Sequence, residues 1–269
     1  MIHPTAVIHP KAQLDPTVVV GPYAVIDGEV TIGAHCTLGP HVYLSGRTTI
    51  GTHNQFHAGC VVGNGPQDLK YKGGVTRLRI GDYNLIREHV TVHGSSTPEG
   101  ETLIGSHNLL MHHSHAAHNV EIGNHVIMAG GAMLAGHVTV ADRAVISGNG
   151  LVHQFCRIGT LAMMQGGTAV SQDLPPFCVA HEVNVLVGLN IVGMRRAGFT
   201  SAERLEIKKL YHLLVRGSGL MRERIAQARK EFTSERARLF IDFVATSKRG
   251  ICSEAGHKND AAETDDGDQ

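Results

Sequence analysis

An aliphatic residue recurs at every sixth position of this chain. From Ile2 the sequence divides into IHPTAV, IHPKAQ, LDPTVV, VGPYAV, IDGEVT and IGAHCT, and the frame runs on to Val62. It resumes at Ile80, Ile86 and Val92, then holds from Ile104 to Val170, so twenty-six positions keep it. A period of six is neither the 3.6 of an amphipathic helix nor the 2 of an alternating strand. It fits a triangular coil, in which each hexad supplies a short strand and a turn and its first residue points inward. Small or polar residues beside that position let the chain bend without a clash. Three hexads close one coil, and successive coils stack as parallel strands about 4.8 Å apart.

Composition agrees with a chain that turns often. Glycine reaches 32 residues, aromatics make up 4% and Trp is absent. Lys plus Arg equals Asp plus Glu at 24 each, so no global charge argues for nucleic acid. Five scattered cysteines without a C-x-x-C pair read as reduced thiols of a cytoplasmic protein. The opening MIHPTAVIHPKAQ has no secretory pattern, and the longest apolar run, VIMAGGAMLAG, is too short to insert across a membrane.

The frame also assigns the histidines. The hexads at Val62, Val92, Ala116, Leu134 and Val152 lie three apart, so they stack in one column on one face of the prism. Those at 116, 134 and 152 carry His118, His137 and His153. The two interruptions of the frame, near 63–79 and 94–103, leave the coil from this column, and loops on a rigid scaffold are where function concentrates. His35, His41, His53 and His125 read as solvated surface, and His112 and His113 as surface or interface residues. A histidine column suits either a metal site, with three imidazoles about 2.0–2.1 Å from one ion, or proton transfer by one neutral imidazole. Gln67, Asp68, Lys70 and Gln154 beside it suit a sugar nucleotide, which favours group transfer.

The hexad pattern resembles the left-handed parallel β-helix of the hexapeptide acyltransferases, and the left hand is what that resemblance implies. QDLKY, SHNLLM leading to HAAH, LAGHV, VHQFC, QDLPPF and GLNIVGMRRAGF occur in order over about residues 1–252. This set resembles the acyl-[acyl-carrier-protein]–UDP-N-acetylglucosamine O-acyltransferase family, the first enzymes of lipid A biosynthesis. The resemblance implies a homotrimer without cofactor or metal, which takes a 3-hydroxyacyl chain from acyl carrier protein. It implies His118 as general base and the Gly136 N–H as oxyanion donor. It further implies substrate contacts from Gln67, Asp68, Lys70, His115, His137, His153, Gln154, Asn190 and Arg196, with Gly166 at the place where a larger side chain would shorten the acyl tunnel. Three positions depart from the family pattern: Asn119 where Asp is common, Val192 where Glu is common, and Ala197 within a basic run. Asn119 leaves open an acceptor that is the 3-amino analogue of UDP-N-acetylglucosamine, because an amine depends less on a strong base. A zinc-dependent hydratase of the carbonic anhydrase type is the more distant alternative on the same fold.

After DLPPF the pattern becomes helical. TSAERLEIKKLYHLLVRG opens on a capping box, Thr200 with Glu203, and LMRERIAQARKEF and RARLFIDFVATSKRG read as two more amphipathic helices. Residues 190–250 hold 14 Lys plus Arg against 6 Asp plus Glu, which suits an acidic partner such as acyl carrier protein. The expectation is a mainly β chain: a left-handed parallel β-helix over 1–185, a C-terminal α-helical domain over 186–252, and a disordered acidic tail over 253–269.

Overall fold

The computed structural model describes residues 1–254 of the chain. Two-residue strands repeat along the first 170 residues and pair in parallel with the strands three hexads away, as with Val7–Ile8 against Val25–Ile26. They form three sheets, the faces of a triangular prism. The first face holds nine strands from Val7–Ile8 to Ala169–Val170, and the second holds eight from Gln13–Leu14 to Arg157–Ile158. The third holds eleven, from Val19–Val20 through Met163–Met164 to the closing strands described below.

Each hexad position has its own task. The first fills the prism: Val20, Ile26, Ile32, Leu38 and their successors to Val170 are buried, while Ile2 at the open end stays half exposed. The fifth is a second core position that the period alone does not reveal. It holds small residues, among them Val18, Ala24, Cys36, Cys60, Val126, Ala144 and Cys156, all buried. The five cysteines are all free and buried. Three of the fifth positions are Asn54, Asn84 and Asn108, whose side chains bond one another and the coil backbone along the prism, as where Asn84 Nδ2 donates to Asn54 Oδ1 at 2.9 Å. Buried amides are tolerated there because their partners are supplied by the next coil.

The fourth position turns the corner in the left-handed backbone region. Tyr23, His35, His41, His53, Tyr83, His89, His107, His113, Asn119, His125 and His137 all have φ between 56° and 61°. Histidine and asparagine are enriched among non-glycine residues in that region. The corner histidines are therefore ordered by the fold: His35, His53, Tyr83, His107 and His125 form one stack along an edge, with ring centroids 4.6–5.0 Å apart.

Three boundaries differ from the sequence reading. The chain rejoins the prism at Arg77 rather than Ile80, because Arg77–Ile80 pairs in register with Arg47–Ile50 and buries Leu78. The expected division at 185/186 falls inside a strand: Val185–Leu189 pairs antiparallel with Cys178–His181 and extends the third face. Ser253–Glu254, expected in the tail, pairs with Val185–Leu186, while the rest of that tail lies outside the described residues. Among the described residues four α-helices follow the prism rather than three: α1 (Ile191–Arg196), α2 (Ser201–Tyr211), α3 (Met221–Glu231) and α4 (Glu235–Ala245). The extra one, α1, is capped by Asn190, whose Oδ1 accepts from Gly193 N–H at 2.9 Å. The Thr200–Glu203 capping box is present on α2, which runs into a π-helical turn before Gly217. No helix among the described residues is long and apolar enough to cross a membrane.

Candidate functional site

The column expected from the frame is real: Val62, Val92, Ala116, Leu134, Val152 and Val170 are successive partners across the first face. Both loops, 65–76 and 94–101, leave the corner between the first and second faces. At that corner Asp68, on the first loop, brings Oδ2 to 3.9 Å from Nε2 of His118. The His118 imidazole is 13% exposed and stands edge-on to His137 at 5.1 Å between centroids. His137 in turn stacks on Phe155 at 4.8 Å.

The other imidazole nitrogen, Nδ1, lies 3.0 Å from Asn119 Oδ1. An amide oxygen only accepts, so this bond forms with the proton on Nδ1 and leaves the Nε2 lone pair toward the open side. The same Oδ1 accepts from Ser96 N–H at 3.0 Å and from Ser96 Oγ at 2.8 Å. One coil further on, Gly136 sits under the His118 ring, and a Cβ there would come within 2.6 Å of Cε1. Glycine is required by that close approach. Among the described residues the Gly136 N–H has no acceptor, so it is available to an incoming oxyanion.

His115 is tied by Nδ1 to Thr91 Oγ1 at 2.7 Å, and burial followed by the neighbouring His118 holds its basicity down. His137 is lowered in the same way, with Asp68 pulling the other direction. His93, which the sequence reading passed over, is 4% exposed, edge-on to His115 at 4.9 Å, and has an unpartnered Nδ1. Burial, then His115 and His118, push it down to about 4. The frame held the signal for it, since Val92 opens a hexad of this very column and His93 follows.

Gln67 and Lys70 are exposed on the first loop, where Lys70 N–H donates to Asp68 Oδ1 at 2.9 Å and shapes the turn. His153 and Gln154 are exposed one coil below Gly136. Between this corner and Val183 an open groove of about 480 Å³ runs over the first face, lined by Met133, Leu151, His153, Ala169 and Val170. No set of three His, Cys, Asp or Glu among the described residues is placed to hold a metal ion.

Three expected site residues stand elsewhere. Asn190 and Arg196 line a cavity of about 680 Å³ on the third face, beside Val192 and with Ile127, Val145 and Met163. Asn190 is buried and committed to structure: beside capping α1 it donates Nδ2 to Leu161 O at 2.8 Å. Gly166 occupies the corner between the third and first faces, stacked over Gly148, whose carbonyl would lie 3.7 Å from an added Cβ. The chain alone therefore does not bring these three to His118, because they belong to other faces of the prism.

Relatives match this chain over nearly their full length. An acyl-[acyl-carrier-protein]–UDP-N-acetylglucosamine O-acyltransferase of an Anaeromyxobacter species is 48% identical over 253 residues, covering 93% of this chain and 98% of its own. The Myxococcus xanthus protein of that name is 46% identical over 254 residues, with the same coverage. The chain belongs to the UDP-N-acetylglucosamine O-acyltransferase family. The family's second-domain model matches residues 173–252, which span the last turns of the prism and all four helices. The crystal structure of the Francisella novicida UDP-N-acetylglucosamine acyltransferase superposes with a TM-score of 0.92 at 35% identity, over 95% of both chains. The Arabidopsis enzyme gives 0.86 at 35% identity, over 94% of this chain and all of its own. The prism is the left-handed parallel β-helix of these acyltransferases.

Proposed function

We infer that this protein transfers an acyl chain from acyl carrier protein to UDP-N-acetylglucosamine, the first step of lipid A biosynthesis. The observation that carries the reading is the His118 corner of a prism that matches this family end to end. His118 Nε2 takes the proton of the glucosamine 3-hydroxyl, and the oxygen attacks the thioester carbonyl of a 3-hydroxyacyl chain. The Gly136 N–H meets the charge that develops on the carbonyl oxygen, a contact made in the transition state and therefore worth rate rather than affinity. The tetrahedral intermediate then expels the thiolate of the carrier arm, which recovers the proton from the His118 imidazolium.

Asp68 supplies the carboxylate that Asn119 lacks. At 3.9 Å from Nε2 it is too far to block that nitrogen with a hydrogen bond, yet its negative charge faces the side on which the imidazolium forms. Gln67, Lys70, His115, His137, His153 and Gln154 contact the sugar nucleotide and the carrier arm around this corner, and the apolar groove beside His153 receives the acyl chain. Asn190 and Arg196 act from a neighbouring subunit of a homotrimer, with Asn190 shaping the loop rather than offering a free amide. Gly166 leaves room at its corner for a long chain. Exposed Arg195, Arg196, Lys208 and Lys209 give the helical cap a face for an acidic carrier protein. Free, buried thiols fit a cytoplasmic setting.

The amide at 119 motivates a second reading, with the 3-amino analogue of the nucleotide sugar as acceptor, since a neutral amine needs less help from the base. Both acceptors offered together with a panel of acyl carrier proteins, and the products weighed by mass spectrometry, test the whole reading. The hydroxyl sugar is expected to be acylated faster. Faster acylation of the amine would replace it as the natural acceptor, and no acyl transfer to either would overturn the function.

A further inference from the structure

We propose that Ser96, on the second loop, is a positioning residue that fixes the tautomer of His118 by locking the amide of Asn119. An asparagine can present either end to its neighbour. With Oδ1 toward His118 the ring must carry its proton on Nδ1, and Nε2 is free to accept. With Nδ2 toward His118 the proton moves to Nε2, and the base is lost. Nothing in Asn119 itself selects between these two states.

Ser96 selects. Its backbone N–H can only donate, and it lies 3.0 Å from the same Oδ1 that faces His118. Its hydroxyl adds a second donor at 2.8 Å. Turning the amide over would set Nδ2 against that N–H in a partly buried corner, donor facing donor. The other end of the amide packs toward Gly100, where an added Cβ would come 2.5 Å from Nδ2.

The loop that carries Ser96 is itself fastened to both neighbours. Ser95 N–H donates to Arg77 O and Ser95 Oγ accepts from Arg77 N–H, each at 3.0 Å. Gly94 N–H donates to Asn64 O at 3.0 Å, and Thr102 Oγ1 accepts from Asn119 N–H at 2.8 Å. The second loop thus acts as a clasp on the orienting residue, while the first brings Asp68 to the opposite nitrogen. An aspartate at 119 would need no clasp, because both of its oxygens accept. The requirement for Ser96 follows from the amide.

The inference rests on the reading of His118 as the base, but its test does not depend on turnover alone. Nitrogen-15 NMR of the neutral imidazole of His118 in the intact protein should report a proton on Nδ1. Ser96→Ala keeps the N–H that selects the amide's orientation and loses the second donor on Oδ1, so it should loosen the lock, let a minor Nε2-protonated population appear and lower kcat by up to about tenfold, the weight of one hydrogen bond. KM for the sugar nucleotide should stay within about twofold, since no substrate contact is removed. Ser96→Thr should restore both the single tautomer and kcat. In an Asn119→Asp background, Ser96→Ala should change kcat by less than about twofold, because there is no amide to turn. An Nε2-protonated ring in the unaltered protein, or equal losses from Ser96→Ala in both backgrounds, overturns the proposal. An Nδ1 proton in a protein that transfers no acyl group would instead leave the lock standing and overturn the functional reading.

Discussion

The histidines of the prism divide by hexad position. Those at the fourth position, such as His35, His107 and His125, serve left-handed corners, whereas His93, His115, His118 and His153 occupy other positions and meet at one corner or its groove. His137 does both. His93 is the member with a thermodynamic signature, because burial lowers it to about 4 from 6.5. Above pH 6.5 it is neutral folded and unfolded and contributes nothing to pH dependence. Between 6.5 and about 4 the unfolded chain takes up a proton that the folded chain refuses, so stability falls as pH drops through that window, by up to about 3 kcal/mol. His115 and His137 shift in the same direction and add to the slope. His93→Gln cannot titrate, and urea unfolding at pH values from 7 to 4.5 should show a shallower loss than in the unaltered protein. An unchanged slope would mean that His93 is protonated in the folded state.

Between the prism and the helical cap, one ion pair carries much of the docking. Asp173 is 1% exposed and accepts from Arg157 N–H and Arg157 Nε at 2.8 Å each, and from Ser247 Oγ at 2.8 Å. The Arg157 guanidinium continues to Phe243 O at 2.8 Å and Thr246 Oγ1 at 3.0 Å, and lies 4.3 Å from the Phe243 ring. Asp173→Ala would strand the arginine among groups arranged for a pair, a loss of about 3–5 kcal/mol. The helical circular-dichroism signal should then unfold at lower urea than the prism, and a single unshifted transition would show that docking rests elsewhere. Nothing in QDLPPF announces this pair, because its two halves come from different turns and its remaining partners from the end of α4 and the residues just after it. The same logic divides what could be read in advance. The hexad frame sets register without long-range guesswork, so the strand column and the positions of His118, Gly136 and His153 follow from counting. The Thr200–Glu203 box is equally local. The Asn190 cap on Gly193 is local as well, and His93 follows an opening position of the column, whereas the bonds from Ser96 to Asn119 are tertiary, made by a loop that the period leaves undefined.

At the scale of the whole molecule, the flat faces pose a problem that one chain does not solve. His118 stands at the corner of the first and second faces, whereas Arg196 lines a cavity on the third. Outward-facing Met133 and Leu151 on the first face are each 47% exposed, and Val183 beside them is 65% exposed. A second prism laid against the first face would cover that apolar surface and bring its own third face, with Arg196, toward His118. Closed threefold symmetry repeats the contact without leaving an open end, and each site is then heterologous, built from unlike surfaces of two subunits. This arrangement has a consequence that a self-contained site lacks. His118→Ala and Arg196→Ala should each be nearly inactive as pure oligomers. When the two are unfolded, mixed in equal amounts and refolded together, about one quarter of the sites should combine an intact His118 from one subunit with an intact Arg196 from the next. Acyl transfer should recover to about that fraction, and sedimentation of the mixture should show trimers. A mixture as inactive as its parents, though trimeric, would place both residues in the same subunit's site and would require Arg196 to reach its substrate by another path.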